Sequence, residues 1–231
     1  MVFLPLKDDN PLKFIPFQFM TITLIVMNII VFMWQDVAGE KGIFDAAVNA
    51  GVIPTSLFGE TKLPPGFGFL PPEATLVTYM FLHGDWWHLL GNMLFLWVFG
   101  DNIEDAMGSL RFLFFYILCG IAAGLAHAYA NVGSDAPLIG ASGATSGVVG
   151  AYLMLYPRVR MWALAFMRIP LKVPAYWVIG AYIITQFAFV FMGVQDNTAW
   201  WAHIGGVIGG MFLIFFFRRP GTRLFAGAPD S

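Results

Sequence analysis

Charged residues and cysteine are both scarce in this chain of 231 residues. Asp, Glu, Lys and Arg make up 11% of the sequence, whereas a typical soluble domain contains roughly 25%. The formal net charge is −2 and no basic run is present, which excludes a strong nucleic-acid binder. The single cysteine, Cys119, cannot form an internal disulfide and offers no paired-cysteine metal motif.

Apolar residues are abundant instead. They account for 58% of the chain, aromatic residues alone account for 17%, and the mean hydropathy is +0.73. A soluble fold of this size could not hide so much apolar surface. Intrinsic disorder requires low hydrophobicity and high net charge. The composition therefore predicts an integral membrane protein and excludes an ordinary soluble enzyme.

Six apolar runs predict an all-α, polytopic membrane protein with six transmembrane helices. A helix needs about 20 largely apolar residues to cross a hydrocarbon core of roughly 30 Å. We expect a membrane domain over residues 17–217, between an N-terminal cytoplasmic segment, 1–16, and a C-terminal cytoplasmic tail, 218–231. The runs are 17–34, a second that begins within 76–87 and ends near 99, 110–129, 142–156, 173–192 and 200–217.

The positions of the Lys and Arg residues indicate how this predicted bundle is oriented in the membrane. With six spans, both termini lie on the same side of the membrane. Ten of the twelve Lys and Arg residues fall on that side, and only Lys41 and Lys62 fall on the other. The excess of cations on the cytoplasmic side of membrane proteins predicts that both termini are cytoplasmic. The short flanks favour the plasma (inner) membrane of a bacterium.

The first outer segment, residues 36–74, is long and rich in proline and apolar residues. Pro and Gly prevent one continuous helix there. Two structures remain equally possible from the sequence. One is an interfacial insertion that lies partly among the lipid headgroups, and the other is an irregular loop packed on the bundle.

Four polar residues lie inside the apolar runs, where polar groups are costly and usually face the bundle interior or a water-filled cavity. His88 and Asn92 are four residues apart and share one helix face. Ser142 opens the fourth run and His203 lies in the last. We predict that these four residues line a polar site.

The fourth span is short enough to place Ser142 below the outer membrane surface. Fifteen residues, 142–156, form roughly 22 Å of helix at about 1.5 Å per residue. A cytoplasmic end near Pro157 leaves the helix about 8 Å short of the outer edge of a ~30 Å core. Free backbone N–H groups converge at such a helix start. A polar break is tolerated there only beside protein or water, so a cavity open to the outer side is expected.

Small residues are spaced to bring the fourth and sixth spans together. Gly143, Gly147 and Gly150 share one face, and Ala202, Gly206 and Gly209 share another. Close approach of these helices would let Ser142 bond to His203. A serine hydroxyl needs a base to take its proton, and a neutral histidine can act as that base. No carboxylate lies within the spans, so a Ser–His dyad is the simplest arrangement. His88, Asn92 and the Ser142 N–H are candidate donors to the oxyanion.

The segment Gly140-Ala141-Ser142-Gly143, followed by a glycine-rich helix, resembles the GxSG signature of rhomboid intramembrane serine proteases. The segment 83–92, with a His pair followed by HxxxN, is similar to the second-helix motif of that family, and 202–206 is similar to its last catalytic helix. The segment 100–112 resembles the loop after the second helix in many bacterial members. The resemblance covers about residues 15–217 and implies a six-helix rhomboid-like bundle.

The resemblance also implies roles for particular residues. Ser142 would be the nucleophile, His203 the base, and His88 and Asn92 the oxyanion stabilisers. His83 would support the site, together with Gly140 and Gly143 of the signature. The implied substrates are transmembrane proteins in a lipid bilayer. We expect no cofactor and no metal.

Two features depart from the family pattern. A Trp-Arg pair found in the first outer loop of some members is absent. Some members carry an aromatic residue one turn after the serine, stacked on the catalytic histidine, where this chain has Ser146. Another group must therefore hold the His203 ring.

Several alternatives remain beside the protease. A catalytically silent relative that binds membrane proteins ranks second. Such relatives usually lack the Ser or the His, and this chain has both. A transporter is disfavoured by the absence of internal repeats. His88 and Asn92 could simply join helices, and a metal site from His83, His88 and His203 would need ligands from separate helices. The sequence sets neither the natural substrate nor the oligomeric state.

Overall fold

The structure is a computed structural model that describes residues 3–61, 63–194 and 198–226. The structure is mostly helical, with 63% of the described residues in helices. The α-helices are α1 (Phe19–Val37), α2 (Gly39–Ala50), α3 (Pro54–Leu57), α4 (Thr75–Thr78), α5 (Trp86–Met107), α6 (Ser109–Ala130), α7 (Ser142–Leu155), α8 (Ala175–Phe191) and α9 (Trp200–Phe217). Short 3₁₀ turns flank α4 at Pro72–Ala74 and Tyr79–Phe81.

Each of the six apolar runs corresponds to a helix, although only some of these helices qualify as candidate spans. By length and composition, the described residues contain three helices that could cross a membrane, α1, α6 and α9. Helix α8 is apolar but has 17 residues, and α7 has 14. The predicted count of six spans therefore remains a proposal.

Helix α7 is at the centre of the bundle. It packs against α5, α6 and α9, and every residue from Gly143 to Tyr152 is buried. A helix surrounded in this way contacts other helices and not lipid, so it does not need a long lipid-facing apolar surface. Its small residues allow those neighbours to come close.

The start of the second apolar run was predicted correctly, but its end was placed too early. Helix α5 begins at Trp86 and continues to Met107, eight residues beyond the expected end near residue 99. The start is set by Asp85, whose side chain accepts a hydrogen bond from the backbone N–H of His88 at 2.8 Å. Residues 100–107, expected in a loop, are the last two turns of this helix.

Two buried carboxylates explain why α5 continues through a polar segment. Glu104 accepts hydrogen bonds from the backbone N–H groups of Met20 and Thr21 at the start of α1, at 2.9 and 2.8 Å. Asp105 accepts from the backbone N–H groups of residues 13–15 at 2.7–2.9 Å. Free N–H groups at a helix start are satisfied well by a carboxylate. These bonds tie the end of α5 to the chain that leads into α1.

The expectation of an all-α fold was wrong in one respect, because the chain also forms a three-stranded antiparallel sheet. The strands are β1 (Phe3–Asp8), β2 (Arg160–Ala165) and β3 (Ile169–Pro174), in the order β1-β2-β3. Phe3 pairs with Ala165, and Arg160 pairs with Pro174. Strand β1 is short, and its partner lies more than 150 residues away, so local sequence patterns give no sign of the pairing.

The first outer segment combines features of both structures considered for it. It contains α2 and α3, and it is fixed to the segment before α7 by a bridge between Val52 and Leu138. Thr55 also donates a hydrogen bond to Asp135 at 2.6 Å. Phe44 and Phe69 nevertheless remain 60% and 75% exposed. The segment is thus packed on the bundle, with aromatic side chains left on its surface. Lys62, used to orient the bundle, lies outside the described residues.

A carboxyl group links the sheet to α7. The Tyr152 hydroxyl donates a hydrogen bond to the carboxylate of Asp8 in β1. Burial raises the pKa of Asp8, the nearby carboxylates of Asp101 and Asp9 add smaller increases, and hydrogen bonds from Tyr152 and from the Asn10 backbone oppose the rise. The resulting pKa of Asp8 is about 7. Burial is the dominant cause, because the charged form loses its water.

We predict that the stability contributed by Asp8 falls as the pH rises from about 4 to about 7. The folded chain keeps this proton to about pH 7, whereas an unfolded aspartate loses it near pH 4. Folding therefore takes up a proton within this window, and stability decreases with rising pH. Thermal unfolding in detergent should give similar melting temperatures for wild type and Asp8→Asn at pH 4, and a higher one for the variant at pH 8.

The control for this measurement is Asp36→Asn, which changes an exposed carboxylate. Its melting temperature should follow that of the wild type across the same range. Equal pH dependence of wild type and Asp8→Asn would contradict the assignment of Asp8.

Candidate active site

Ser142 is the first residue of α7 and is half-buried. The predicted helix, 142–156, matches the observed one to within one residue. Gly140 turns the chain toward the helix with a φ of +122°, a conformation that L side chains rarely adopt. The Gly140 N–H donates to the carbonyl oxygen of Tyr79 at 2.9 Å. The loop before Ser142 is therefore held by a residue outside α7.

Helices α7 and α9 approach each other through their glycine faces. A Cβ atom built on Gly206 would lie 2.0 Å from the carbonyl oxygen of Gly143, and one built on Gly210 would lie 1.9 Å from that of Gly147. No side chain fits at such distances. The predicted small-residue contact between the fourth and last helices is therefore present.

This contact brings the starts of α7 and α9 close together. A Cβ atom on Gly143, the residue after Ser142, would lie 3.7 Å from the carbonyl oxygen of Ala202, the residue before His203. His203 is 9% exposed. The hydrogen bonds among the described residues do not include one from the Ser142 hydroxyl to His203. Direct pairing of these two side chains stays a prediction.

His88 and Asn92 both face the turn that precedes Ser142. A Cβ atom on Gly140 would lie 2.6 Å from Nε2 of His88 and 3.7 Å from Nδ2 of Asn92. The spacing of four residues on α5 places the two side chains on the same side, as expected. Their nitrogen atoms therefore lie next to the backbone that leads into the serine.

His83 contacts Asn92 directly. Its Nε2 lies 3.0 Å from the Asn92 side-chain nitrogen. Because an amide nitrogen can only donate, Nε2 of His83 is the acceptor and its proton lies on Nδ1. Gln35 of α1 accepts a hydrogen bond from the His83 backbone N–H at 3.1 Å. This series of contacts orients the amide of Asn92. Among the residues that the structure describes, the second hydrogen of this amide has no hydrogen-bond acceptor.

The His203 ring is held by residues that the sequence analysis did not identify. Its Nδ1 lies 2.7 Å from Oε1 of Gln186 in α8. The ring of Tyr182, also in α8, has its centroid 6.4 Å away with an interplanar angle of 35°. The edge of Trp200 contacts the ring at a centroid distance of 6.0 Å. Tyr182 and Trp200 thus supply the aromatic contacts that Ser146 cannot.

A signal for these residues was present in the sequence. Gln186 is a strongly polar residue inside an apolar run, which is the same criterion that identified His88 and Asn92. Tyr182 precedes it by one helical turn. Within the described residues, no group of three or more His, Cys, Asp or Glu side chains could hold a metal ion.

Comparison with known proteins assigns the chain to a family. Residues 73–220, which are 148 of the 231 residues, match the family described as the Rhomboid domain. The chain belongs to the rhomboid family. This agrees with the resemblance of its Ser142 and His203 segments to that family.

Three relatives illustrate the range of this family. The chain is 30% identical to RHOMBOID-like protein 5 of Arabidopsis thaliana over 63% of this chain and 44% of that protein. It is 30% identical to Rhomboid protein 1, mitochondrial, of Saccharomyces cerevisiae over 72% of this chain and 51% of that protein. It is 31% identical to Rhomboid protease GluP of Bacillus subtilis over 83% of this chain and 33% of that protein. This rhomboid therefore spans between a third and about half of the length of these relatives.

We predict that Gly206→Ala destabilises this rhomboid by about 1–3 kcal/mol, the usual cost of overpacking a core. The added methyl would collide with the Gly143 carbonyl and force α7 and α9 apart. Gly180→Ala on α8 is the matched control, because nothing lies within 4 Å of its added Cβ. Thermal unfolding in detergent should show a lower melting temperature for Gly206→Ala alone. Equal behaviour of the two variants would contradict the close contact of α7 and α9.

Proposed function

We propose that this rhomboid is an intramembrane serine endopeptidase that cuts peptide bonds in or near the transmembrane segments of other membrane proteins. In this proposal α1 and α5–α9 cross the bilayer, both termini are cytoplasmic, and the membrane is the plasma (inner) membrane of a bacterium. The distribution of ten cations against two supports this orientation.

The observation that carries the proposal is the close contact of α7 and α9. The Gly143–Ala202 approach lies beside Ser142 on one helix and beside His203 on the other. Helices α7 and α9 are far apart in the sequence, but their backbones pack directly against each other. The side chains of Ser142 and His203 therefore extend from rigid helices. Rigid support is what a nucleophile and its base require.

The proposed reaction proceeds through an ester on the serine. His203 Nε2 takes the hydroxyl proton as Ser142 Oγ bonds to the carbonyl carbon of the substrate. Collapse of the tetrahedral intermediate breaks the C–N bond, and His203 returns the proton to the leaving amine. A water molecule then loses a proton to His203 as its oxygen attacks the carbonyl carbon of the ester. Collapse of this second intermediate breaks the bond between that carbon and Ser142 Oγ, and His203 returns the proton to Oγ.

Donors around Gly140 stabilise the negative oxygen of each intermediate. The proposed donors are the second hydrogen of Asn92 Nδ2, a ring N–H of His88 and the Ser142 backbone N–H. The nitrogens of Asn92 and His88 lie beside Gly140 in the turn before α7. Donors fixed in advance act strongly in a site with little water. His83, through its contact with Asn92 at 3.0 Å, keeps one of these donors aimed.

The substrate segment must unwind before it reaches Ser142, because the peptide bonds of a helix are shielded by their own hydrogen bonds. Gly or Pro near the cut lowers the cost of unwinding. Helices α8 and α9 and the loop 193–199 are candidates for the path of lateral access. Residues 195–197 of that loop lie outside the described residues.

We expect Ser142→Ala and His203→Ala each to lower the cleavage rate by about 10³-fold or more, as loss of a nucleophile or its base does. The measurement uses the full chain in proteoliposomes with a fluorescent transmembrane substrate. Ser56→Ala and His127→Ala are the matched controls and should cleave at the wild-type rate. Ser56 lies in α3 and His127 in α6, and neither belongs to the glycine faces through which α7 and α9 approach each other.

Three outcomes would contradict the proposal. Cleavage that survives either Ser142→Ala or His203→Ala would exclude the dyad. Binding of the substrate without cleavage by the wild type would favour the catalytically silent relative. Passage of a small solute without cleavage would favour a transporter.

We expect Asn92→Ala to lower kcat by about 10²-fold with little change in KM, because an oxyanion donor acts mainly in the transition state. The same proteoliposome assay measures both constants. A change confined to KM would show that Asn92 binds the ground state of the substrate instead.

A further inference from the structure

Gln186 is a buried amide on a helix that is otherwise peripheral. It is 4% exposed, whereas Trp177, Ile184 and Phe191 on the same helix are 60%, 69% and 85% exposed. A polar side chain buried in apolar surroundings costs stability unless its hydrogen bonds are satisfied. The partners of Gln186 therefore determine what the side chain does.

The orientation of the amide follows from its two hydrogen bonds. Its Nε2 donates to the carbonyl oxygen of Tyr182, one turn earlier, at 3.0 Å. Its Oε1 is therefore the atom that faces His203, 2.7 Å from Nδ1. Because Oε1 can only accept, Nδ1 of His203 carries the proton. The lone pair of the neutral ring then lies on Nε2.

Tyr182 continues these contacts to the serine helix. The Ser146 hydroxyl donates to the carbonyl oxygen of Ser142 at 2.6 Å. Its single hydrogen is used there, so the Tyr182 hydroxyl must be the donor in its 2.7 Å bond to Ser146. A continuous series of contacts thus runs from the Ser142 carbonyl through Ser146, Tyr182 and Gln186 to the His203 ring.

We propose that Gln186 is a positioning residue for the base. Its amide oxygen fixes the tautomer and the plane of the His203 ring and so leaves Nε2 as the atom that takes the serine proton. This inference rests on the proposed function. Gln186 occupies the place that an acidic residue holds in a three-membered catalytic group, but as a neutral amide it orients the ring without adding a charge.

The kinetic test compares Gln186→Leu, which removes the acceptor, with Gln186→Glu, which keeps one. Thr185→Val is the matched control, since among the described residues the Thr185 hydroxyl bonds within its own helix, to the Ala181 carbonyl oxygen. The assay measures kcat and KM of the full chain in proteoliposomes between pH 5 and pH 9. Thermal unfolding in detergent reports whether each variant is folded.

We expect Gln186→Leu to lower kcat about 10–100-fold with KM unchanged, a part of the 10²–10⁴ that a general base contributes. Gln186→Glu should retain most of kcat, and the acidic limb of its pH profile should move to higher pH, because a carboxylate stabilises the protonated ring. Thr185→Val should match the wild type. A Gln186→Leu variant with wild-type kcat would overturn the inference. A Gln186→Glu variant whose acidic limb lies at the wild-type pH would also overturn the inference. This second measurement tests the inference even if Gln186→Leu does not fold.

A spectroscopic measurement separates this inference from the proposed function. The nitrogen-15 NMR spectrum of histidine-labelled protein, assigned with His203→Ala, reports which nitrogen of His203 carries the proton. We expect Nδ1–H in the wild type and a mixture of tautomers in Gln186→Leu. Nε2–H in the wild type would overturn the inference whatever the activity. A wild type that cleaves nothing but shows Nδ1–H would overturn the proposed function while supporting the orientation of the ring by Gln186.

Discussion

The contact of backbone with backbone between α7 and α9 is the constraint on which the candidate site depends. Gly206 faces the carbonyl oxygen of Gly143, and Gly210 faces that of Gly147, with no room for a Cβ atom at either position. In a membrane, where lipid is as apolar as leucine, such close packing supplies much of the attraction between helices. Two helices held at this distance keep the side chains at their starts in a fixed relation. The chemistry proposed for Ser142 and His203 requires that fixed relation.

Around this contact, hydrogen bonds link the polar side chains in two series. Asn92 is held through His83 and Gln35, and the His203 ring is held through Gln186 and Tyr182. Each series begins on a helix that contributes no proposed nucleophile or base. The peripheral helices α1 and α8 therefore orient the groups that react, while the central helices supply them. Buried polar groups that are held by hydrogen bonds have restricted motion, and restricted motion of reacting groups favours catalysis.

Most of the apolar helices could be predicted from the sequence for clear physical reasons, whereas the roles assigned to Ser142, His203, His88 and Asn92 stay predictions. Apolar runs bounded by glycine, proline or charge mark helices, so the expected bounds of α7 and α9 agree with the observed ones to within one residue. The sheet could not be predicted, because β1 and β2 are far apart in the chain and their pairing has no local signal. The end of α5 was misplaced because Glu104 and Asp105 look like loop residues until their partners near α1 are known. Gln186 was missed although it is polar within an apolar run, because its role depends on a contact with His203 that only the folded structure shows.

The order of the strands in the sheet has a consequence for how the chain assembles. Strand β1 is made first, yet its only neighbour in the sheet, β2, comes after α7. At about 5–20 residues per second, a ribosome needs on the order of 10–30 s to reach β2. During that time β1 has no partner strand, while the helices from α1 to α7 are synthesised. The sheet can therefore form only after α1 to α7 have been made, and it joins residues 3–8 to the segment between α7 and α8.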